Sequence, residues 1–419
     1  MRAVGIEAIG TYAGAAYLPL DELAQARSLD PTRFQNLRMK EKAVALPFED
    51  PVTFAVNAAK PLIDGISEAQ KQRIELLITC TESGIDFGKS VSTYVHHYLG
   101  LSRNCRLFEI KQACYSATAG LQMAAGFLLS QCSPGAKALV IATDMSRFVA
   151  VGGGEALSED WSYAEPSAGA GGVALLVGET PAVFSLDVGA SGYYGYEVMD
   201  TCRPVPDSES GNADLSLLSY LDCCEQAYIE YTKRVADVDY LRSFDYLAFH
   251  TPFGGMVKGA HRMMMRKFCA ATPSEVATDF EKRVAPGLEY CERVGNIMGG
   301  SLFLALASLL EYGEFSSPRR IGCFSYGSGC CAEFFSGVAG PGAQRIQRMF
   351  GAAEQLAGRY RLSMQEYESL IATSTALAFG TRDVTIDRIV TAGADWYASR
   401  RGLALVEINN FHRRYEWRV

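Results

Sequence analysis

The chain has 419 residues, of which 48% are hydrophobic and 21% are charged. This balance is typical of a globular protein and excludes a largely disordered chain. The length exceeds what one hydrophobic core usually holds, so we expect two core units. The formal net charge of -8 argues against a nucleic-acid-binding protein, which would be basic.

No stretch of the sequence approaches the roughly 20 consecutive apolar residues that span a bilayer. The N-terminal segment MRAVGIEAIG carries Glu7 within its apolar part and is typical of a strand rather than of a secretion signal. We therefore expect a cytoplasmic protein that does not bind a membrane. The 12 cysteines include no C-x-x-C pair and no cluster with zinc spacing, so we expect reduced thiols and no bound metal.

Short apolar runs alternate with helical stretches along the chain. The predicted strands are IELLITC (74–80), ALVIATD (138–144), GVALLVG (172–178), FDYLAFH (244–250) and RIGCFSYG (320–327). The predicted helices lie at 50–66, 91–100, 114–132, 217–235 and 296–310. Continuous apolar runs of this length favour a sheet that is covered on both faces, and the alternation indicates an α/β fold.

Two of these helices, at 114–132 and 296–310, are apolar nearly all round and rich in Gly, Ala and Ser. A helix without a polar face must be buried. Each leads into an apolar strand, which indicates a weak internal duplication with one half at 1–178 and the other at 179–419. The glycine-rich stretch VGGGEALSEDWSYAEPSAGAGG (151–172) is predicted to be a long loop of the kind that is often functional.

Cys114 lies in FEIKQACYSATAGLQ, where a strand-like segment turns into one of the buried helices. A helix N-terminus presents free N–H groups and the positive end of the helix dipole, which favour a thiolate and can hold an oxyanion. The residues alone leave open whether Cys114 is a nucleophile or a buried structural cysteine.

His250 and Glu82 each follow a predicted strand. The carboxyl ends of strands in α/β sheets are the usual place for ligands, so His250 is a candidate for function, with a buried core histidine as the alternative. Glu82 can act as an acid and a base if desolvation raises its proton affinity. Taken alone, an exposed loop glutamate is the simpler interpretation.

Asn296 opens the second apolar helix, and Ser328 follows a strand in SYGSG. Each can donate or orient a hydrogen bond at a site, with helix capping and turn formation as the respective alternatives. The stretch 258–268 concentrates basic residues, including Lys258, Arg262 and Arg266, in an acidic protein. It can steer a phosphate or an acidic carrier domain, or it is simply a solvated helix face.

Taken together, these segments resemble the 3-hydroxy-3-methylglutaryl (HMG) synthases, in chain order and over nearly the whole length. The matching runs are TES (81–83), FEIKQACYSATAGLQ (108–122), SAGAGGVALLVG (167–178), FHTPF (249–253), VGNIMGGSLFLALASLLE (294–311) and FSYGSG (324–329). The resemblance implies the α/β thiolase fold, which is five-layered αβαβα and built from two similar halves. It also implies a homodimer and no bound cofactor.

The resemblance also implies roles for the candidate residues. Cys114 falls on the nucleophile that becomes acylated, Glu82 on the general acid/base, and His250 on the residue that binds the carbonyl of the second substrate. Asn296 falls near the thioester of that substrate. Ser328 falls where a backbone N–H helps to form the oxyanion hole.

The sequence departs from the mevalonate-pathway members of this family. Those carry a glycine-rich run near the N-terminus where this chain reads FQNLRMKEKA (34–43), and often a lysine where it has Gly254–Gly255. The segment 151–166 also appears as a longer insertion. These features, with DTCRPVPD (200–207), resemble the branch that serves polyketide β-branching.

In that branch, donor and acceptor acyl carrier proteins present their thioesters on phosphopantetheine. Carrier proteins are acidic, so basic residues are candidates for docking them. The candidates are Arg33, Arg38, Lys40, Lys42, Lys258, Arg262 and Arg266.

Three alternatives stay open. The first is a mevalonate-pathway synthase that uses acetyl-CoA and acetoacetyl-CoA with the same site residues. The second is an enzyme like ketoacyl synthase III, against which Glu82 argues because those enzymes work with Cys, His and Asn. The third is a non-catalytic scaffold of the thiolase fold, which would be expected to lose Cys114 or Glu82.

Overall fold

The computed structural model describes residues 2–146, 164–205, 208–386 and 393–418. The strands in chain order are β1 Gly5–Ala13, β2 Ala16–Pro19, β3 Glu41–Val44, β4 Ile74–Cys80, β5 Arg106–Ile110, β6 Lys137–Met145, β7 Ala170–Gly178, β8 Phe184–Gly195, β9 Thr201–Val205, β10 Ser208–Gly211, β11 Tyr246–Phe249, β12 Arg319–Gly327, β13 Cys331–Ala339, β14 Tyr360–Arg361, β15 Val384–Thr385, β16 Gly402–Asn409 and β17 His412–Arg418.

The helices are α1 Leu20–Ala26, α2 Pro31–Leu37, α3 Pro51–Asp64, α4 Glu68–Lys71, α5 Ser92–Tyr98, α6 Ser116–Leu129, α7 Ala164–Ser167, α8 Ala213–Arg234, α9 Gly254–Cys269, α10 Pro273–Arg283, α11 Cys291–Val294, α12 Ser301–Tyr312, α13 Pro341–Arg348, α14 Ala352–Ala357, α15 Met364–Thr373 and α16 Ala394–Ala398. Short 3₁₀ turns occupy Ala285–Gly287, Met298–Gly300 and Ser374–Leu377.

The large sheet has the strand order β11-β12-β13-β8-β1-β7-β6-β4-β5. Strands β4, β5 and β6 run parallel, and β7 is antiparallel to both β6 and β1. On the other side, β11 is parallel to β12, and β13 is antiparallel to β12 and β8. Strands β1 and β8 pair at only two positions, Gly5 with Ser185 and Ile6 with Phe184. The order therefore divides at this short junction into two sub-sheets.

The buried helices α6 and α12 form the central layer. One hydrophobic cluster joins their side chains to the strands of both sub-sheets. A second cluster packs α3 and α5 on the outer face of β4, β6 and β7, and a third packs α8, α9 and α10 on β11–β13. The layers are therefore helix, sheet, helix, sheet, helix, which confirms the predicted α/β thiolase architecture.

Small residues let the central helices approach the sheet. A Cβ atom on Gly120 of α6 would lie 2.8 Å from Val140 Cγ1 and 3.0 Å from Cys80 Sγ, too close for a normal contact. In α12, every residue from Ser301 to Leu310 is buried. The absence of a polar face, read from the sequence, thus corresponds to burial on all sides.

Most predicted elements are confirmed, with shifts at their ends. The strand predicted at 244–250 is shorter, at Tyr246–Phe249, and the helix predicted at 296–310 begins with a 3₁₀ turn and becomes α-helical at Ser301. The part of the predicted loop at 151–172 that precedes residue 164 lies outside the described residues. Its predicted end was wrong, because α7 occupies Ala164–Ser167 and β7 begins at Ala170.

Within the described ranges, no helix combines the length and the apolar character needed to cross a membrane. The same part of the chain holds no group of three or more His, Cys, Asp or Glu side chains arranged to bind a metal ion.

Candidate active site

One cavity of about 810 Å³ brings together the residues that the sequence predicted to be catalytic or substrate-binding. It is lined by Cys114, Glu82, His250, Asn296 and Ser328, which lie up to 246 positions apart in sequence (328 − 82). Arg33, predicted to contact a carrier, also lines it.

Cys114 lies in a tight turn between β5 and α6. Tyr115 N–H donates to the Gln112 carbonyl at 3.1 Å, and the helix begins at Ser116, two residues after the cysteine. Ala113, just before the cysteine, has φ of 42°, a left-handed conformation that non-glycine residues rarely adopt. The predicted position at a helix N-terminus is confirmed, and the turn projects the thiol into the cavity.

Glycine at position 327 allows this turn to pack against the end of β12. A Cβ atom there would lie 2.6 Å from both the Gln112 carbonyl oxygen and the Tyr115 nitrogen. Any side chain at this position would push the Cys114 turn away from the turn that carries Ser328. The SYGSG motif therefore needs its first glycine for packing.

Glu82 directs one carboxylate oxygen at the cysteine. Its Oε1 lies 3.5 Å from Cys114 Sγ, and its side chain is 18% exposed. The alternative of an exposed loop glutamate is therefore wrong, because the segment after β4 folds back into the cavity. Its backbone N–H donates to Asp144 Oδ1 at 2.9 Å.

Asp144, at the carboxyl end of β6, organises the turn that carries Glu82. Its Oδ1 accepts hydrogen bonds from the Thr81 hydroxyl at 2.9 Å and from the Ser83 N–H at 3.0 Å and hydroxyl at 2.9 Å. The side chain is fully buried. Burial, followed by the nearby Glu82 carboxylate, raises the pKa of Asp144 to about 7.

Arg203, in β9, contacts Glu82 from a distant part of the chain. Its Nε lies 3.4 Å from Glu82 Oε2, and its Nη1 lies 3.4 Å from the Glu82 carbonyl and 3.3 Å from the Ser83 hydroxyl. The Glu82 carboxylate therefore has the thiol on one oxygen and a guanidinium on the other.

His250 follows β11 and is 1% exposed. Its backbone N–H donates to the Phe324 carbonyl at 2.7 Å, and its own carbonyl accepts from the Tyr220 hydroxyl at 2.7 Å. Burial lowers the pKa of the imidazole to about 3. The ring is therefore neutral near pH 7 and can donate only one N–H to a substrate oxygen.

Asn296 holds the start of the second apolar helix and also lies at the cavity. Its Oδ1 accepts hydrogen bonds from the Met298 N–H and the Ser301 hydroxyl, each at 2.9 Å, which fixes the start of α12. The residue also lines the cavity. Since the carbonyl end of the amide is engaged, the NH₂ group is the end suited to a substrate oxygen.

Ser328 lies in the turn between β12 and β13, which Asp200 holds in place. Asp200 is fully buried and accepts hydrogen bonds from the Tyr326 hydroxyl at 2.6 Å and the Gly329 N–H at 2.9 Å. These two bonds flank Ser328 and fix its backbone at the cavity wall. A turn held from both sides can present the Ser328 N–H as a preorganised donor.

Apart from Arg33, which lines the cavity, the basic candidates divide into three groups, of which Lys42 alone forms the third. Lys258, Arg262 and Arg266 are exposed on α9 with a spacing of four, so they share one helix face outside the cavity. Arg38 and Lys40 make ion pairs with Glu292 at 3.5 Å and 2.9 Å.

The prediction that Lys42 helps to dock a carrier protein was wrong. Its side chain is 3% exposed, and its Nζ donates to the Glu165 carbonyl at 2.6 Å and to the Tyr367 hydroxyl at 3.1 Å. Burial lowers the pKa of Lys42 to about 8. Its place in the short strand β3 puts it inside the protein, out of reach of a partner.

Sequence reasoning missed Asp144, Asp200 and Arg203. Asp144 ends a predicted strand, the same signal that pointed to His250, and Asp200 and Arg203 occur in the DTCRPVPD run. An aromatic pair also lines the cavity: the Phe87 and Phe379 rings are 4.7 Å apart, and Phe87 is 88% exposed. No periodicity marks either ring.

The arrangement combines a thiol at a helix start, a carboxylate beside it, a neutral imidazole and a turn with fixed N–H groups. A thiol can be acylated, and a carboxylate within reach of the acyl group can remove a proton from its α-carbon. The imidazole can polarise a second carbonyl. These are the groups needed for carbon–carbon bond formation between two acyl thioesters.

Comparisons with known proteins agree with this chemistry. The family model described as "Hydroxymethylglutaryl-coenzyme A synthase N terminal" matches residues 1–182, and the corresponding "C terminal" model matches residues 266–387. The chain is 65% identical, over the full length of both proteins, to the Bacillus subtilis (strain 168) "Polyketide biosynthesis 3-hydroxy-3-methylglutaryl-ACP synthase PksG". It is 34% identical to the "Hydroxymethylglutaryl-CoA synthase" of Enterococcus faecalis, covering 88% of this chain and 91% of the relative.

Solved structures give the same result. The "Curacin Biosynthetic Pathway HMG Synthase in Complex with Apo Donor-ACP" is 64% identical with a TM-score of 0.94, covering 99% of this chain and 100% of that one. The structure of "MvaS in complex with 3-hydroxy-3-methylglutaryl coenzyme A" is 32% identical with a TM-score of 0.85, covering 100% and 99%. The chain therefore belongs to the HMG synthase family.

Proposed function

We propose that the chain is a carrier-protein-dependent HMG synthase of polyketide β-branching. The observation that carries the chemistry is the 3.5 Å contact between Cys114 Sγ and Glu82 Oε1 in a cavity that also contains His250. The full-length identity of 65% to a polyketide HMG-ACP synthase, against 34% to an HMG-CoA synthase, supports the carrier-dependent branch.

The first step loads the enzyme. The Cys114 thiolate attacks the acetyl thioester on the phosphopantetheine of a donor carrier protein, and the carrier thiol leaves. Glu82 then removes a proton from the acetyl methyl group while N–H donors near Ser328 hold the developing enolate oxygen.

The second step forms the carbon–carbon bond. The nucleophilic methylene carbon adds to the β-keto carbon of an acetoacetyl or longer β-ketoacyl thioester, which an acceptor carrier protein presents. His250 donates its N–H to the ketone oxygen, and Glu82 returns its proton to the resulting alkoxide. Asn296 orients the acceptor thioester. Water finally cleaves the Cys114 thioester, which leaves a free carboxylate on the product. These steps draw on protein side chains, backbone N–H groups, water and the phosphopantetheine thioesters.

The carriers dock beside α9. Lys258, Arg262 and Arg266 present three positive charges on one exposed face, and Arg33 lies at the wall of the cavity on α2, which packs against α9. An acidic carrier bound to this face would bring its phosphopantetheine arm to the cavity that holds Cys114.

Three further parts of the proposal follow the family. The chain forms a homodimer, to which the half-exposed strand β5, at the edge of the large sheet, is suited. The segments 1–178 and 179–419 are the two thiolase-like halves. The protein works in the cytoplasm, with the carriers.

The overall reaction tests the function. Acetyl-donor carrier and acetoacetyl-acceptor carrier are mixed with the enzyme, and the acyl group on the acceptor is identified by mass spectrometry. The expected product is 3-hydroxy-3-methylglutaryl-acceptor carrier, formed with the wild type and absent with Cys114→Ser. If acetyl-CoA and acetoacetyl-CoA gave product as fast as the carrier-bound substrates do, a mevalonate-type synthase would be favoured instead.

A further inference from the structure

Arg203 contacts the Glu82 turn at three points. Its guanidinium approaches the Glu82 carboxylate at 3.4 Å, the Glu82 backbone carbonyl at 3.4 Å and the Ser83 hydroxyl at 3.3 Å. The Arg203 side chain is only 16% exposed. An ion pair shielded from water in this way is much less weakened by solvent than one on the surface.

The Glu82 carboxylate needs support of this kind. A glutamate side chain has three rotatable bonds, so it can direct its carboxylate away from Cys114 Sγ unless other groups hold it. The neighbouring carboxyl group of Asp144 is buried and faces the same turn, so two acidic groups lie close together. A nearby cation offsets the repulsion between two neighbouring carboxylates. Arg203 provides that cation.

We propose that Arg203 is a positioning residue for Glu82. It holds the carboxylate with Oε1 towards the acetyl group on Cys114, and it places a positive charge beside the other carboxylate oxygen. The inference rests on the proposed function. In the step concerned, Glu82 takes one methyl proton, the C–H electron pair becomes the enolate double bond, and the carbonyl electrons move to the thioester oxygen.

The test isolates proton removal from the other steps. The enzyme is acetylated on Cys114 by acetyl-carrier protein, and deuterium incorporation from D₂O into the acetyl methyl group is measured without acceptor. We expect Arg203→Gln to be acetylated as the wild type is, but to exchange about 10-fold to 100-fold more slowly, because a misplaced base loses its alignment. In turnover, kcat falls and the KM for the acceptor carrier does not change.

Arg203→Lys separates charge from geometry. Lysine keeps the positive charge but cannot contact the carboxylate and Ser83 together with one planar group, so we expect an exchange rate between those of Arg203→Gln and the wild type. Arg234→Gln is the matched control, because Arg234 forms a similar ion pair with Glu230 on the exposed face of α8. It should exchange at the wild-type rate.

Wild-type exchange rates in both Arg203 variants would overturn the inference. So would a loss of Cys114 acetylation as large as the loss of exchange, since this would indicate a general structural role. If Arg203→Gln does not fold, Arg203→Lys carries the test by the same comparison. Failure of the wild type itself to become acetylated on Cys114 would instead contradict the proposed function.

Discussion

The Sγ atom of Cys114 lies 3.5 Å from Oε1 of Glu82, although β4 carries one residue to the cavity and β5 the other. Parallel strands bring their carboxyl ends to the same edge, so these two adjacent strands place the proposed nucleophile and the proposed base together. In the proposed mechanism Cys114 accepts the acetyl group and Glu82 removes the proton, and these two steps can be separated by experiment.

The Glu82→Gln variant should therefore still be acetylated on Cys114 but should lose condensation. We expect Cys114 to be acetylated by the donor carrier while condensation slows by about 100-fold to 10,000-fold, the usual contribution of a general base. Quenched-flow assays with mass detection measure both steps. Glu230→Gln, which changes a half-buried glutamate of α8 outside the cavity, is the control. A Glu82→Gln variant that condenses at the wild-type rate would remove Glu82 from the mechanism.

The buried imidazole of His250 predicts a pH dependence of stability. Its pKa is about 3 in the folded protein and 6.5 in the unfolded chain. Between these values the unfolded chain binds the proton and the folded protein does not, so stability is lost as the pH falls below about 6.5. This contribution amounts to roughly 1.4 kcal/mol per pH unit.

His250→Gln removes this proton uptake. We expect the difference in unfolding free energy between pH 6.5 and pH 4.5 to be smaller in His250→Gln than in the wild type, as measured by urea denaturation. His412→Gln, at an exposed position in β17, should behave as the wild type does. An identical pH dependence in His250→Gln would mean that the folded imidazole is protonated.

Because Asp200 accepts two hydrogen bonds beside Ser328, we expect turnover to fall further when both bonds are lost than when one is lost. Asp200→Ala removes both hydrogen bonds that flank this residue, whereas Tyr326→Phe removes one. We expect turnover to fall by about 100-fold to 1,000-fold in Asp200→Ala, which is the cost of losing an oxyanion donor, and by less in Tyr326→Phe. Steady-state kinetics and thermal melting measure the two effects. Equal losses in both variants would contradict the graded account.

The basic face of α9 predicts an effect on carrier binding alone. Reversing Lys258, Arg262 and Arg266 to glutamate should raise the KM for the carrier and reduce its salt dependence, while kcat at saturating carrier changes little. Arg414→Glu, in the C-terminal hairpin, is the control. Unchanged carrier-dependent turnover in the triple variant would remove the docking role.

The sequence predicted those site residues that lie at the end of a strand or at the start of a helix. Cys114 at a helix start and His250 at a strand end carry such local signals. Glu82 does not: its own context favoured an exposed loop, and only the resemblance to a family pointed to it. Its burial depends on the turn that Asp144 holds, which is a tertiary contact.

Other features could not be read from the sequence because they depend on which faces of short elements are covered. Lys42 lies in a four-residue strand whose pattern does not show that Glu165 and Tyr367 enclose its amine. Arg203 reaches Glu82 across 121 positions, and nothing in its local sequence predicts the contact. The φ of 42° at Ala113 likewise follows from the packing of the Cys114 turn against Gly327.

The most direct test of the proposed function is the intact mass of the enzyme after mixing with acetyl-carrier protein or with acetyl-CoA, with Cys114→Ser alongside. We predict that the carrier adds one acetyl group to the wild type, that CoA does so poorly, and that the variant gains none. Efficient acetylation by CoA would contradict the carrier-dependent assignment. Acetylation of Cys114→Ser to the wild-type extent, or of neither protein by either donor, would contradict the mechanism itself.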